Sequence, residues 1–252
     1  MEIKIFQLLI LSVFIWISAC GDLNNSLVPE DMILSVNLSE TDGLLADGRI
    51  IEVEAVIHPD AETDARKVLF TASGGSFKNA ENGDLIVEAV MNSNVLTAKA
   101  VFIAPLKEGE VSIFVQMDLP DQRGNYVVDK VLMFDRSNPN SISIDADAFS
   151  VYNGFDGQIN IIGSLFNSED NAVNYNTKVE LLDLYLDNSP INGKFKDSIL
   201  LSNTDSKIST SYSPGYITAD QTIKIVANVL DENGTYILGI TDTLFIEVIE
   251  KP

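Results

Sequence analysis

Residues 49–57 read Arg49-Ile50-Ile51-Glu52-Val53-Glu54-Ala55-Val56-Ile57, and the pattern of this segment indicates the fold class. Apolar side chains occupy every second position of residues 51–57, and the two glutamates lie between them. Since successive side chains of a β-strand point to opposite faces, the alternation predicts a strand with one buried and one solvated face. Similar alternation recurs at residues 157–165, and helical periodicity is hard to find after residue 20. We therefore predict an all-β protein.

The two halves of the chain carry matching turn and strand signals. Gly75-Ser76-Phe77 is echoed by Gly193-Lys194-Phe195, and Pro105 before one alternating strand is echoed by Pro214 before another. Each half then closes with a turn rich in Asp, Asn and Gly before a final apolar strand. A repeat of about 110 residues with many short strands is typical of tandem β-sandwiches, with about seven strands in each.

Three features of the first half are typical of one known family. Leu45-Ala46-Asp47-Gly48 leads into an alternating strand, residues 68–77 end in a Gly-Ser-Phe turn, and residues 111–115 alternate again. In these features, residues 33–136 resemble the bacterial immunoglobulin-like domains of the invasin and intimin adhesins. The second half matches less well, because Asn153-Gly154-Phe155-Asp156-Gly157 leads into its strand. The resemblance implies a structural or adhesive module and brings no catalytic residues with it.

The start of the chain has the pattern of an export signal. Lys4 precedes an apolar run over residues 5–17, which is too short to span a bilayer because spanning takes about 20 apolar residues. The next residues complete Ile17-Ser18-Ala19-Cys20, which resembles the lipobox of bacterial lipoproteins. The resemblance implies cleavage after Ala19 and acylation of Cys20. An ordinary secretory cleavage site beside a chance cysteine is the alternative.

These features divide the chain into four predicted parts. Residues 1–19 are a lipoprotein signal peptide and residues 20–31 a lipidated tether. Residues 32–137 and 138–252 are two tandem immunoglobulin-like β-sandwiches. Residues 135–140 link them, since their Ser-Asn-Pro-Asn sequence favours an extended or turning connection.

The charge balance excludes some partners. The chain has 37 acidic and 16 basic side chains and a net charge of -21, and loss of residues 1–19 removes one of each sign. Nucleic acids and anionic lipid surfaces are bound by basic patches, so we expect no nucleic-acid partner. Contact with the lipid membrane must then come from acyl chains on Cys20. Cys20 is also the only cysteine, so no disulfide can form within the chain.

The residues that support catalysis or metal binding are few. A Ser-His-Asp or Cys-His nucleophile system would have to use His58, the only histidine, and zinc takes three or four ligands. We expect neither an enzyme nor a cofactor. Calcium is the one metal worth considering, since it takes six to eight oxygen ligands, but no acidic group has EF-hand spacing and turn formation is the alternative. The weak calcium candidates are Asp145 and Asp147, with Asp118, Asp121, Asp231 and Glu232 in the closing turns.

Exposed aromatic rings would be needed for sugar binding. Trp16, the only tryptophan, lies in the signal peptide, and six of the seven tyrosines lie in the second half. Tyr212 and Tyr216 flank Ser213-Pro214-Gly215, so we predict them as a ligand face on a loop. Packing against a sheet is the alternative, because tyrosine commonly buries its ring.

Together these observations predict a membrane-anchored, non-enzymatic lipoprotein that acts as an adhesion or assembly module at the bacterial cell envelope. Its partners are expected to be proteins, contacted through the outer domain. A glycan-binding accessory surface lipoprotein is the alternative. Gly21 follows Cys20, where an Asp would favour retention in the inner membrane of some bacteria. We therefore expect the outer membrane, and the cell surface rather than its periplasmic face.

Overall fold

A computed structural model describes residues 32–61, 66–119 and 127–251. These residues form eighteen β-strands, nine in each half, which confirms the all-β prediction. The prediction of about seven strands per half was too low, because the additional strands are two or three residues long and cannot show alternation. Within the described ranges, the structure contains no helix long and apolar enough to cross a membrane.

The strands of the first half are β1 (Ile33–Leu38), β2 (Ile50–Ile57), β3 (Lys67–Ala72), β4 (Ser76–Phe77), β5 (Leu85–Glu88), β6 (Val90–Asn92), β7 (Val95–Ile103), β8 (Gly109–Met117) and β9 (Val128–Phe134). Those of the second half are β10 (Ser141–Ala146), β11 (Ser150–Tyr152), β12 (Ile159–Phe166), β13 (Lys178–Tyr185), β14 (Lys194–Phe195), β15 (Ile199–Leu201), β16 (Lys207–Ser213), β17 (Gln221–Leu230) and β18 (Tyr236–Ile249).

Each half folds into two facing sheets with the same strand order. The first half has the sheets β1-β2-β7-β4, with β6 added to β7, and β5-β3-β8-β9. The second has β10-β12-β16-β14 and β15-β13-β17-β18-β11. Because β1, β2, β7 and β4 correspond in order to β10, β12, β16 and β14, the sequence repeat is a repeat of topology.

The alternation of apolar residues that predicts the fold matches the alternation of buried residues along β2. Ile51, Val53 and Ala55 of β2 are fully buried. Glu52 and Glu54, which lie between them in the sequence, are more exposed. Burying a valine or isoleucine side chain contributes about 1.5 to 3 kcal/mol. One buried apolar cluster lies within residues 33–134 and a second within residues 142–248.

The first segment of each half crosses from one sheet to the other. In the first half Leu45 forms a parallel bridge with Asp135, and in the second β11 runs parallel to β18. Residues 44–49 therefore lie beside the link between the halves. The matching residues 150–157 lie beside the end of β18, at the far end of the second sandwich.

Candidate functional site

The residues of the predicted lipobox, from Ile17 to Cys20, lie outside the described residues. Acylation of Cys20 therefore stays a prediction. Asp121, one of the calcium candidates, also lies outside them.

The structure corrects the prediction that Tyr212 belongs to an exposed face. Tyr212 lies on β16 and is fully buried, with its ring centroid 4.7 Å from that of Phe195. Its hydroxyl donates to Oδ2 of Asp183 at 3.1 Å, and the same oxygen accepts the backbone N–H of Gly193 at 2.6 Å. Alternation along β16 directs this side chain into the core, so the ring offers no surface to a ligand.

Asp183 and Tyr212 both have raised pKa values. Burial is the main cause that raises the pKa of Asp183, although the hydrogen bonds from Gly193 and Tyr212 act in the opposite direction. Burial, followed by the charge of Asp183, raises the pKa of Tyr212 further above its ordinary value. Tyr212 therefore stays protonated and serves as a donor to the carboxylate.

Tyr216 is strongly exposed, and its neighbour is a residue that the sequence did not single out. The side chain of Tyr216 is 86% exposed and that of Phe155 is 53% exposed. Their rings meet edge to face, with centroids 5.5 Å apart and an interplanar angle of 88°. Edge-to-face packing is a favourable arrangement for two aromatic rings. We call Phe155 and Tyr216 the aromatic pair.

Two glycines hold the aromatic pair in place. The backbone N–H of Gly154 donates to the carbonyl oxygen of Gly215 at 2.7 Å, and this bridge joins the two loops. Both glycines have positive φ, +95° and +71°. A Cβ on Gly154 would lie 3.4 Å from the ring of Tyr216, and one on Gly215 would lie 3.3 Å from the ring of Phe155. Each ring therefore lies over the glycine of the other loop.

The internal repeat shows what the equivalent end of the first sandwich does. Since Pro105 matches Pro214, Leu106 and Lys107 occupy the positions of Gly215 and Tyr216. The carbonyl oxygen of Leu106 accepts the backbone N–H of Tyr175, which belongs to the second sandwich, at 2.7 Å. In the first sandwich, the end equivalent to the one that carries the aromatic pair therefore contacts the second sandwich.

A buried aspartate joins the two sandwiches. Asp47 is 2% exposed and forms an ion pair with Arg49, with Nη2 and Oδ2 2.9 Å apart. Hydrogen bonding to Asp47 raises the pKa of Arg49 above its ordinary value. From the second sandwich, Nδ2 of Asn167 donates to Oδ2 of Asp47 at 3.2 Å, and Glu169 lies 3.1 Å from Arg49. A desolvated charge is stable only when paired in this way.

The linker is held by the same cluster. Ser137 is fully buried, and its Oγ accepts Nδ2 of Asn167 at 3.1 Å while donating to the carbonyl oxygen of Ala172 at 2.8 Å. The backbone N–H of Ser137 donates to Oδ1 of Asn174, whose Nδ2 donates to Glu108 of the first sandwich at 2.8 Å. We call the groups around Asp47 and Ser137 the joint. Among the described residues, every deeply buried side-chain polar atom has a hydrogen-bond partner.

The weak calcium candidates are engaged in local hydrogen bonds. Both carboxylate oxygens of Asp147 accept from Asn160, at 2.8 and 2.6 Å, and these bonds lower the pKa of Asp147. Oδ1 of Asp145 accepts the N–H of Ala146 at 2.8 Å. In the second closing turn, Oδ1 of Asp231 accepts the N–H of Thr235. The ranges that the structure describes hold no group of three or more His, Cys, Asp or Glu able to bind a metal ion.

The side chain of His58 stabilises the turn that follows β2. Its Nδ1 accepts the backbone N–H of Asp60 at 3.2 Å, and the carboxylate of Asp60 lies 3.8 Å from the same nitrogen. This is the local bonding expected of a polar residue at the end of a strand.

Comparison with known proteins finds a solved structure of similar fold. No protein-family model matches the chain, and no curated protein matches it. The crystal structure of invasin, a bacterial integrin-binding protein, is similar with a TM-score of 0.51 at 12% identity, over 86% of this chain and 39% of that structure. The chain therefore spans about two fifths of the invasin structure.

Two further similar structures overlap less closely. The adhesin InvE of Yersinia pseudotuberculosis has a TM-score of 0.38 at 12% identity, over 84% of this chain and 58% of that one. A β-glycosidase from Bacteroides vulgatus has a TM-score of 0.33 at 10% identity, over 84% and 24%.

The strand topology and the similarity to invasin define the class of fold. The chain is a pair of tandem immunoglobulin-like β-sandwiches. This fold is similar to that of the invasin structure.

Proposed function

We propose that this chain is a membrane-anchored, non-enzymatic lipoprotein whose two sandwiches act as an adhesion or assembly module at the bacterial cell envelope. The single observation that carries the proposal is the aromatic pair, held by a glycine bridge at the exposed end of the second sandwich. Rigid aromatic side chains are enriched among the residues that dominate protein–protein binding energy. The proposed partner is a protein that covers Phe155 and Tyr216.

The joint supports this role. Hydrogen bonds and ion pairs between the sandwiches resist bending, so the second sandwich is presented at a fixed angle to the first. A preorganised binding end loses less conformational entropy when it binds.

The anchor is proposed from the sequence. Acyl chains on Cys20 hold the protein in the outer membrane with the sandwiches on the cell surface. Two or three chains are enough for stable anchoring, because each buried methylene contributes about 0.8 kcal/mol.

Cell fractionation and surface proteolysis test this proposal together. Wild-type protein is expected in the membrane fraction and is cleaved when intact cells are treated with protease. The Cys20→Ser variant is expected in the soluble fraction with an unchanged melting temperature, because the substitution removes the acyl chains and the two buried clusters lie within residues 33–134 and 142–248. Continued membrane association of Cys20→Ser contradicts the anchor, and protection of the wild type in intact cells contradicts the surface location.

The aromatic pair also favours a second function, glycan binding. The exposed faces of aromatic rings stack on the apolar face of a sugar ring, and Tyr216 leaves most of its ring free. On an array of bacterial and host glycans, a glycan-binding protein gives signals that Phe155→Ala and Tyr216→Ala abolish. Leu238→Ala is the matched control, since Leu238 is 95% exposed in the same sandwich. An array without signals above background removes this alternative.

A further inference from the structure

The first sandwich carries an apolar hairpin that the proposed function does not use. Strands β6 and β7 are joined by Ser93 and Asn94, both with positive φ (48° and 67°), which is the geometry of a tight type I′ turn. Val90 is 67% exposed, and Met91 and Val95 are each 44% exposed. Exposed apolar residues are ordinary when scattered, but here Val90 and Val95 lie on one face of the hairpin and Met91 on the other, so both faces next to the turn are apolar.

The strand register locates this hairpin at the end of the sandwich where the chain enters it. Ile33, the first residue of β1, is aligned with Ile57, Ile57 with Leu96, and Leu96 with Met91. These four residues form one row across the sheet, and the turn of the hairpin extends beyond the row. The segment that connects Cys20 to the sandwich reaches β1 at this same end.

The internal repeat shows that the apolar hairpin is particular to the first sandwich. Strand β16, the counterpart of β7, is preceded by a polar turn over residues 203–206. Two residues of that turn, Thr204 and Asp205, line a cavity at the joint together with Gly75 and Ala104 of the first sandwich. The turn that faces the first sandwich is polar, whereas the equivalent hairpin of the first sandwich carries apolar side chains on its two strands, at residues 90, 91 and 95.

We propose that the hairpin of residues 90–95 rests on the lipid surface to which Cys20 is attached. This inference depends on the acylation of Cys20 in the proposed function. The twelve peptide units from Cys20 to Met32 span at most about 40 Å when extended. The tether therefore holds the hairpin at a high local concentration next to the bilayer, so a contact too weak to bind membranes by itself becomes populated.

The chemistry of the hairpin suits a shallow contact with lipid headgroups. Residues 89–98 contain no charged side chain, and the turn itself consists of neutral polar residues. The transfer of valine and methionine side chains from water to the boundary between headgroups and acyl chains is favourable. Glu88 lies exposed just before the hairpin, so the contact is confined to the projecting tip.

The experiment supplies the anchor chemically. A protein comprising residues 20–252 has Cys20 as its only thiol and no tryptophan, so Cys20 can be coupled to a maleimide lipid in phosphatidylcholine vesicles. Met91→Trp then reports on the hairpin by fluorescence, and Leu238→Trp is the control on the second sandwich. Hydrogen exchange of the wild-type amides of residues 92–94 gives a measurement without an introduced ring.

Coupling is expected to shift the Met91→Trp emission to shorter wavelength, to expose it to quenching by brominated lipid, and to slow exchange in residues 92–94. The Leu238→Trp emission should not change, and adding Val95→Glu should remove the Met91→Trp shift. Equal emission and exchange before and after coupling would overturn the proposal. A shift that instead follows the concentration of uncoupled protein would assign the hairpin to a second copy. Because the lipid is attached chemically, a cell that does not acylate Cys20 would contradict only the proposed anchor.

Discussion

One buried acid distinguishes the core of the second sandwich from that of the first. Strand β4 pairs Phe77 with Phe102, and β14 pairs Phe195 with Tyr212. The hydroxyl that Tyr212 adds reaches Asp183, a residue of β13. A neutral aromatic contact in one sandwich is thus accompanied by a hydrogen-bonded carboxylate in the other. Such a group costs stability when it is charged, because a buried carboxylate is poorly solvated.

The Asp183→Asn variant tests the charge of this group. The pKa of Asp183 is raised in the folded protein, so its contribution to stability is complete below the ordinary value of 3.8 and is lost as the pH rises through the folded pKa. We expect the free energy of unfolding of Asp183→Asn, relative to that of the wild type, to increase between pH 3 and pH 7, so that the variant becomes relatively more stable. Urea unfolding at a series of pH values measures this difference.

Asp187→Asn is the control with the opposite sign. Hydrogen bonds from Ser189 lower the pKa of Asp187, so its contribution is present above the ordinary pKa and is lost on acidification. The asparagine variant should therefore lose stability relative to the wild type as the pH rises. A relative stability of Asp183→Asn that falls with pH, or does not change, would contradict the assignment of Asp183 as a desolvated carboxylate.

At the scale of elements, the short strand β4 depends on the turn that precedes it. Gly75 has a φ of +69°, and a Cβ there would lie 2.5 Å from the carbonyl oxygen of Ile103 and 2.6 Å from the ring of Phe102. Only glycine permits β4 to approach β7 so closely. The Gly-x-Phe motif is therefore a requirement of sheet packing, and its recurrence at Gly193 reflects the same close approach.

Gly75→Ala is expected to destabilise the first sandwich by roughly 2 to 5 kcal/mol, from the positive φ and the steric overlap together. Gly83→Ala is the matched control, because Gly83 has a φ of +92° but no atom within 4 Å of its Cβ position. It should cost only the conformational part, about 1 to 2 kcal/mol. Equal losses in chemical denaturation would show that the approach to β7 is not what selects glycine.

The period-2 alternation predicts the strands well because burial on one face is a local property of the sequence. Residues 50–57 and 159–166 are strands for this reason. The aromatic pair is not predictable in the same way, since Phe155 and Tyr216 are far apart in sequence and meet only through a bridge between two glycines. The prediction for Tyr212 was wrong because its exposure depends on which side of β16 faces the core. A glycine immediately before each aromatic residue, at 154 and 215, is the one local signal of the pair.

At the scale of the whole molecule, the joint determines how the second sandwich is presented. Asp47 and Asn167 are separated by 120 positions, and their contact depends on both sandwiches being folded. Sequence reasoning named Asp47 only as part of the segment Leu45-Ala46-Asp47-Gly48, which leads into an alternating strand. A buried polar cluster of this kind favours one arrangement, because any other would lose the hydrogen bond from Asn167 to Asp47 and the ion pair between Arg49 and Glu169.

Asp47→Ala should broaden the distribution of angles between the sandwiches while each sandwich stays folded. Removing the carboxylate leaves Arg49 and Asn167 without their shared acceptor. Spin labels on cysteines replacing Leu34 and Leu238, in a Cys20→Ser background, report the distance by double electron–electron resonance. Glu40→Ala is the control, since Glu40 contacts Arg49 at 3.7 Å from an exposed position. An unchanged distribution for Asp47→Ala would show that Asp47 does not fix the joint.

We propose that lipid on Cys20 holds the two sandwiches at the cell envelope. Mass spectrometry of the N-terminal peptide of protein purified from its native membranes tests this claim most directly. We predict a mature chain that begins at Cys20 and carries a diacylglyceryl thioether together with an acylated amine. A mature chain that begins elsewhere, or an unmodified thiol at Cys20, would contradict the account.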